Sequence, residues 1–281
     1  MIDWGPVAET DAGSSHPHRY GTFAPSDMKA WLSAVAHEYV KLRSECCIEL
    51  PSALDVTGIG IFDVSQIKAK LAQNLVPTST PSKSPFSVTR SDLSETAAYM
   101  LLERTFGTAI AYKPVRDREL IQLPGRGIDA IGIEQDDKLL VVLCEVKFSD
   151  ENSSPKAPQV VDKSADAMRP QQKGHLSELT TTIAKIWDCA RRAKDPDLQQ
   201  SLMAAALYLE HEQWETVGVV SCNVLVRPAA RHGAGDFGSF LSKPDDYAPA
   251  QVRFLVWSLP GDMNEILESW DAAVQAAKAA A

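Results

Sequence analysis

Leu139–Phe148 reads Leu-Leu-Val-Val-Leu-Cys-Glu-Val-Lys-Phe, a run whose apolar residues fall on both faces of an extended chain. Leu139, Val141 and Leu143 share one face with Glu145 and Lys147, and Leu140, Val142, Cys144, Val146 and Phe148 share the other. A strand apolar on both faces belongs in the middle of a sheet covered by helices on both sides. This requirement restricts the chain to a layered α/β architecture. Just upstream, Gly127-Ile128-Asp129-Ala130-Ile131-Gly132-Ile133 reads as a neighbouring buried strand opened by Asp129. Three charges, Asp129, Glu145 and Lys147, therefore stand where hydrocarbon is expected. Burying an unpaired charge is costly, so such groups pair, bind metal or do chemistry.

Asp136-Asp137-Lys138 is the expected hairpin tip between the two strands. A three-residue tip places Gln135 across from Leu139 and Asp129 across from Glu145, on one face with Lys147. A two-residue tip puts the carboxylates on opposite faces unless a bulge intervenes. Adjacent carboxylates repel. A divalent cation between them removes the repulsion, and hard oxygen ligands suit Mg²⁺ or Mn²⁺. Such a cation activates water and stabilises charge on a phosphoryl oxygen. A lysine aimed at the same place orients or deprotonates the water, or balances the developing charge. The layout is suited to phosphodiester hydrolysis. The competing readings are a structural Glu–Lys pair at a sheet end and a nuclease-like fold kept for binding.

These residues resemble the PD-(D/E)xK nuclease superfamily, in which an Asp is followed, on the next strand, by (D/E)-x-K. Asp129 matches the first half, and Glu145 and Lys147 match the second. The motif's Pro is absent, and Gly127-Ile128 precede Asp129. The resemblance implies an α/β fold with a restriction-endonuclease-like core, a small mixed sheet flanked by helices in the order α-β-β-β-α-β, over roughly residues 88–260. It also implies a Glu reaching the metal from the first core helix. Glu95 is the candidate, and a plain capping role is its alternative. Within the superfamily the layout looks most like the nuclease subunit of Hachiman-type anti-phage systems, which works with a helicase. That family's motif strand ends Gly-Glu-Ser-Lys after a His-Gly-Ala-Asp-like segment. Here Cys144-Glu145-Val146-Lys147 and Arg126-Gly127-Ile128-Asp129 take those places. The resemblance implies a Mg²⁺-dependent DNase held in a complex with an ATP-driven helicase. A restriction or repair nuclease with another translocase is the alternative enzyme, and an inactive scaffold or sensor the alternative outside enzymes.

Charge bears on the partner. The 281-residue chain has a net charge of −9. Residues 1–90 carry 8 basic and 9 acidic groups, leaving 20 and 28 for the rest, so the acidity lies with the expected site. Phosphate contacts need clustered Lys and Arg. Lys113, Arg116, Arg118 and Arg126 precede Asp129 and are candidates to track a nucleic-acid backbone. A solvated face is their alternative, as it is for Arg191, Arg192 and Lys194. A protein partner that supplies the grip on DNA follows from this balance. The five cysteines, an odd number without a CxxC pair, indicate neither a disulfide framework nor a zinc site. With no membrane-length apolar segment and no basic-then-apolar leader, the expected compartment is the cytoplasm and no membrane is a partner.

The Pro/Ser/Thr-rich stretch at 76–85 divides the chain into a smaller, mainly helical α+β region, 1–85, and a nuclease-like domain, 86–281. Residues 1–25 read as an irregular arm, and Ser26 as the N-cap of a helix to Ser44. Asp55–Phe62 reads as a strand and Gln66–Leu75 as a helix. Asp92 and Glu95 have capping-box spacing for a helix to Phe106, before a strand at Thr108–Val115. Lys156–Pro170 resists assignment. Helices follow at Ser177–Lys194 and Leu198–Leu209, then strands at Thr216–Val226 and Val252–Leu259. Asp262 and Glu265 cap a C-terminal helix. His232 and Asp236, Lys173 and His175, and His16 and His18 read as loop or tail residues before ligands.

Overall fold

The computed structural model describes residues 3–10, 18–45, 53–56, 60–76, 87–117, 127–152 and 156–281. Its strands are β1 (Ala8–Thr10), β2 (Arg19–Phe23), β3 (Ala53–Val56), β4 (Gly60–Asp63), β5 (Ala109–Tyr112), β6 (Ala130–Gln135), β7 (Leu139–Phe148), β8 (Val217–Pro228) and β9 (Gln251–Leu259). Its helices are α1 (Met28–Ser44), α2 (Val64–Leu75), α3 (Ser87–Thr105), α4 (Pro114–Asp117), α5 (Gln159–Asp162), α6 (Met168–Ser177), α7 (Leu179–Arg192), α8 (Pro196–Glu210), α9 (Gly238–Ser242) and α10 (Met263–Ala280).

The protein is α/β, with a seven-stranded mixed sheet in the order β1-β2-β9-β8-β7-β6-β5. The strands β2, β9, β8 and β7 run parallel, and β6 and β5 continue antiparallel from β7. As its sequence requires, β7 lies inside the sheet. Leu140, Val142, Cys144, Val146 and Phe148 pack under α1, α3 and α10, while Val141 and Leu143 pack under α7 and α8. A third cluster joins Tyr20, Leu225, Phe254 and Val256 to α6 and α9 through Met168 and Phe240. Among the described residues, no helix is long and apolar enough to cross a membrane.

The stretch expected as an irregular arm holds β1 and β2 instead. The strand β2 lies parallel to β9, with Arg19 across from Arg253 and Phe23 across from Trp257. Tyr20 and Phe23 are buried on opposite faces, a tertiary demand that outweighs local composition. The helix α1 is capped by Asp27, one residue after Ser26. Its Trp31 lies 5.2 Å from Trp257 and its Tyr39 lies 5.4 Å from Trp270, ring centre to ring centre. Sheet and core thus run across the expected boundary between 1–85 and 86–281. The linker at 76–85, apart from Val76, lies outside the described residues, as does His16.

Other differences are local. The strand expected at Asp55–Phe62 is a two-stranded hairpin, β3 with β4. The helix α3 begins at Ser87, so Asp92 is interior rather than a cap. Asp92 is buried and accepts a hydrogen bond from the Tyr39 hydroxyl at 2.6 Å. The segment 232–249 contains α9 and short 3-10 turns. Asp262 and Glu265 form the expected capping box on α10.

One buried ion pair ties the antiparallel and parallel parts together. Arg253 on β9 grips Glu134 on β6 with both terminal nitrogens, at 2.7 and 2.8 Å. Removing one partner strands a buried charge. Arg253→Met is expected to cost about 3–5 kcal/mol, read from the urea midpoint. An unchanged midpoint would show that the pair contributes nothing net.

Candidate active site

The hairpin registers through the three-residue tip: Gln135 faces Leu139 and Ala130 faces Cys144. One step further, the Asp129 N–H donates at 3.0 Å to the carbonyl of Cys144, the residue Ala130 already faces, so Asp129 sits beside Glu145 but outside the regular register. The Val146 N–H donates to Asp129 Oδ2 at 2.7 Å and fixes the carboxylate against β7. Glu145 is fully buried, and Lys147 Nζ stands 3.7 Å from its Oε2. The three charges therefore meet on the face expected of them.

The helix α6 closes this face. His175 Nε2 lies 2.8 Å from Glu145 Oε1, and Lys147 Nζ donates to Gln171 Oε1 at 3.2 Å. Gln171 and His175 are four residues apart and share one side of α6. Between them, the buried Gln172 points at the sheet and donates to the carbonyls of Leu143 and Cys222 at 3.0 and 2.9 Å. This amide rivets α6 to β7 and β8. Gln172→Ala leaves two buried carbonyls without that donor, and a loss of about 2–3 kcal/mol is expected, measurable by urea denaturation. Full retention of stability would show that α6 is held by other contacts.

Burial and the neighbouring Glu145 push the Asp129 carboxyl up to about 8, against the pull of Lys147 and the Val146 N–H. Burial likewise pushes Glu145 up to about 7, with Lys147 opposing it. Near neutral pH the pair holds protons that ordinary carboxylates have lost. Burial, and then the charge of Lys185, hold His175 below its usual value. Glu145 Oε2 is buried with no hydrogen-bond partner. Two crowded carboxylates, one with an oxygen lacking a donor, fit a hard divalent cation that replaces the proton. Asp129 and Glu145 would hold it.

Glu95 does not join them. It is buried in α3, where it accepts from the Tyr99 hydroxyl at 3.1 Å, and that hydroxyl also lies 3.1 Å from the Asp129 carbonyl. Eight residues into a longer helix, Glu95 is not a cap either. Among the described residues, no three His, Cys, Asp or Glu side chains are grouped to hold a metal.

The expected phosphate-tracking cations are also placed differently. Lys113 is buried, 2.6 Å from Glu103. Arg116 binds Asp117 at 2.8 Å and the Ala111 carbonyl at 2.9 Å. Both are committed inside the fold. Arg118 and Arg126 lie outside the described residues. Arg191 and Arg192 pair with Asp188. His232 and Asp236 meet at 2.7 Å, but the other oxygen of Asp236 is 2.5 Å from the buried Arg227. They anchor a loop. A cavity of about 560 Å³ opens elsewhere, beside β2 and the end of α3, and neither Asp129 nor Glu145 lines it.

Gln171 and Lys185 are site residues that sequence reading does not single out, and His175, read from sequence as a loop residue before a phosphate contact, lies in α6. Pro170 hides α6 from a periodicity search, yet it occupies the first turn, where a missing N–H is harmless. The Gln-x-x-x-His spacing was the available signal. Comparison of the chain with family models, with curated proteins and with solved structures returned no match.

Proposed function

We propose that this chain is a metal-dependent nuclease that hydrolyses DNA phosphodiester bonds, built on a restriction-endonuclease-like core. The observation that carries the reading is the convergence of Asp129, Glu145 and Lys147 on one sheet face, across adjacent strands. The element order supports it: α3, β5, β6, β7, the helices α5 to α8, then β8 follow the α-β-β-β-α-β order of the PD-(D/E)xK superfamily, with the four-residue α4 inserted between β5 and β6.

A bound Mg²⁺ or Mn²⁺ would supply Lewis acidity toward the scissile phosphate and its attacking water. Asp129 and Glu145 would supply the charge that holds the cation. The Val146 N–H keeps Asp129 oriented, and His175 keeps Glu145 oriented. Lys147, held by Gln171 beside Glu145, would orient the water or balance charge on the phosphate oxygens.

The net charge of −9, with Lys113 and Arg116 paired to Glu103 and Asp117, argues for a partner that supplies the grip on DNA. We place the chain as the effector subunit of an anti-phage complex with a helicase, in the manner of Hachiman-type systems. A second reading, a nuclease-fold scaffold, draws on the want of a three-residue ligand group among the described residues.

Supercoiled and linear DNA incubated with the chain in Mg²⁺ or Mn²⁺, with and without a co-purifying ATPase and ATP, separates the readings. Metal-dependent cleavage supports the nuclease. Cleavage only with the ATPase supports the complex. No cleavage in any arm supports the scaffold.

A further inference from the structure

The helix α7 turns one more lysine toward this face. Lys185 lies between the buried Ile183 and Ile186 and is itself half-buried. Its Nζ sits directly over Gly127: a Cβ at that glycine would come within 2.6 Å of it. Gly127 adopts φ +85°, where side chains are strained, and the same absent Cβ makes room for the ammonium. Lys185 makes no ion pair or hydrogen bond among the described residues, although its charge is felt by both Glu145 and His175. With no direct partner, the ammonium keeps its donors available to an anion.

The position limits what that anion can be. Gly127 is two residues from Asp129, at most about 7 Å along the chain. The scissile phosphate belongs between the carboxylate pair and Lys147. Lys185 Nζ, over Gly127, stands on that side of the carboxylate pair.

Resting on the nuclease reading above, we propose that Lys185, seated in the Gly127 notch, binds the phosphate next to the scissile one, making the substrate a polynucleotide strand rather than an isolated diester. Lys185 is a substrate-binding residue in this assignment, and Lys147 remains the catalytic one.

Two measurements test it on the full chain. In Ca²⁺, binding of a fluorescent single-stranded oligonucleotide at low salt is followed by anisotropy. Lys185→Met is expected to weaken binding about tenfold and to reduce the salt slope by about 0.7, one phosphate contact on a single strand. Lys185→Arg is expected to retain both, and all variants to keep the wild-type melting temperature. In Mn²⁺, the same Lys185→Met is expected to raise KM for oligonucleotide cleavage several-fold more than it alters hydrolysis of bis-para-nitrophenyl phosphate.

Unchanged oligonucleotide binding in Lys185→Met overturns the proposal and leaves the nuclease reading intact. Equal loss on the small diester and the oligonucleotide also overturns it, because Lys185 then acts at the scissile phosphate. A wild-type chain that binds oligonucleotide but hydrolyses neither substrate removes the nuclease reading alone, and the binding comparison still decides Lys185. A wild-type chain that does not bind oligonucleotide removes the proposal.

Discussion

Lys147→Ala is expected to lower metal-dependent DNA cleavage by about 10²–10⁴-fold, the usual worth of a positioned proton-transfer or charge-stabilising group. The side chain is only partly buried and is held by Gln171 at 3.2 Å, so its loss should leave the fold in place. Glu145 then loses its nearest cation, and its carboxyl should rise further. Nicking of supercoiled DNA, with melting temperature as the folding control, reads the effect. Undiminished nicking by Lys147→Ala would remove this lysine from the reaction and send the search to another centre.

The second large effect is on stability and metal binding together. The Asp129 carboxyl is raised from 3.8 to about 8 in the folded chain. A raised carboxyl favours folding fully below its unfolded value, and that contribution is lost as pH climbs through the folded value. Metal-free wild type should therefore lose stability steadily between about pH 4 and pH 8 on account of this group. The slope approaches about 1.4 kcal/mol per pH unit for one proton, reduced because solvent reaches Asp129. Asp129→Asn has no proton to lose, so its stability should be flatter with pH. By pH 8 it should exceed metal-free wild type by roughly 1–3 kcal/mol. Mn²⁺ reverses the order: at a hundredfold excess over its Kd it adds about 2.7 kcal/mol to wild type and little to Asp129→Asn. Thermal melts at pH 6 and pH 8, with and without Mn²⁺, read all four states. A Mn²⁺ shift that survives Asp129→Asn would place the cation elsewhere.

Features decided by neighbouring residues were readable in the sequence. The two-faced apolar pattern of β7 called for helices on both sides, and the Asp136-Asp137-Lys138 tip set the register from Gln135 and Leu139 to Ala130 and Cys144, next to Asp129 and Glu145. The capping box at Asp262 and Glu265 is equally local. What escaped depends on partners far along the chain. The strand β2 looks irregular until β9, more than 200 residues later, offers it an edge. Lys113 and Arg116 look like a basic patch because sequence shows charges without their counter-charges, Glu103 and Asp117. The placement of His175 and Lys185 was hidden because a helix's orientation over a sheet is set by packing, here by Gln172 reaching two strands at once.

The parallel pairing of Arg19–Phe23 with Gln251–Leu259 has a consequence for synthesis. A ribosome delivers the earlier strand long before the later one exists, so the emerging chain must carry Tyr20 and Phe23 uncovered through most of translation. The sheet closes only when residue 259 is free, and contacts of such long reach form slowly. A product truncated before residue 251 lacks the strand that joins β2 to β8, so abandoned translation does not release a completed sheet.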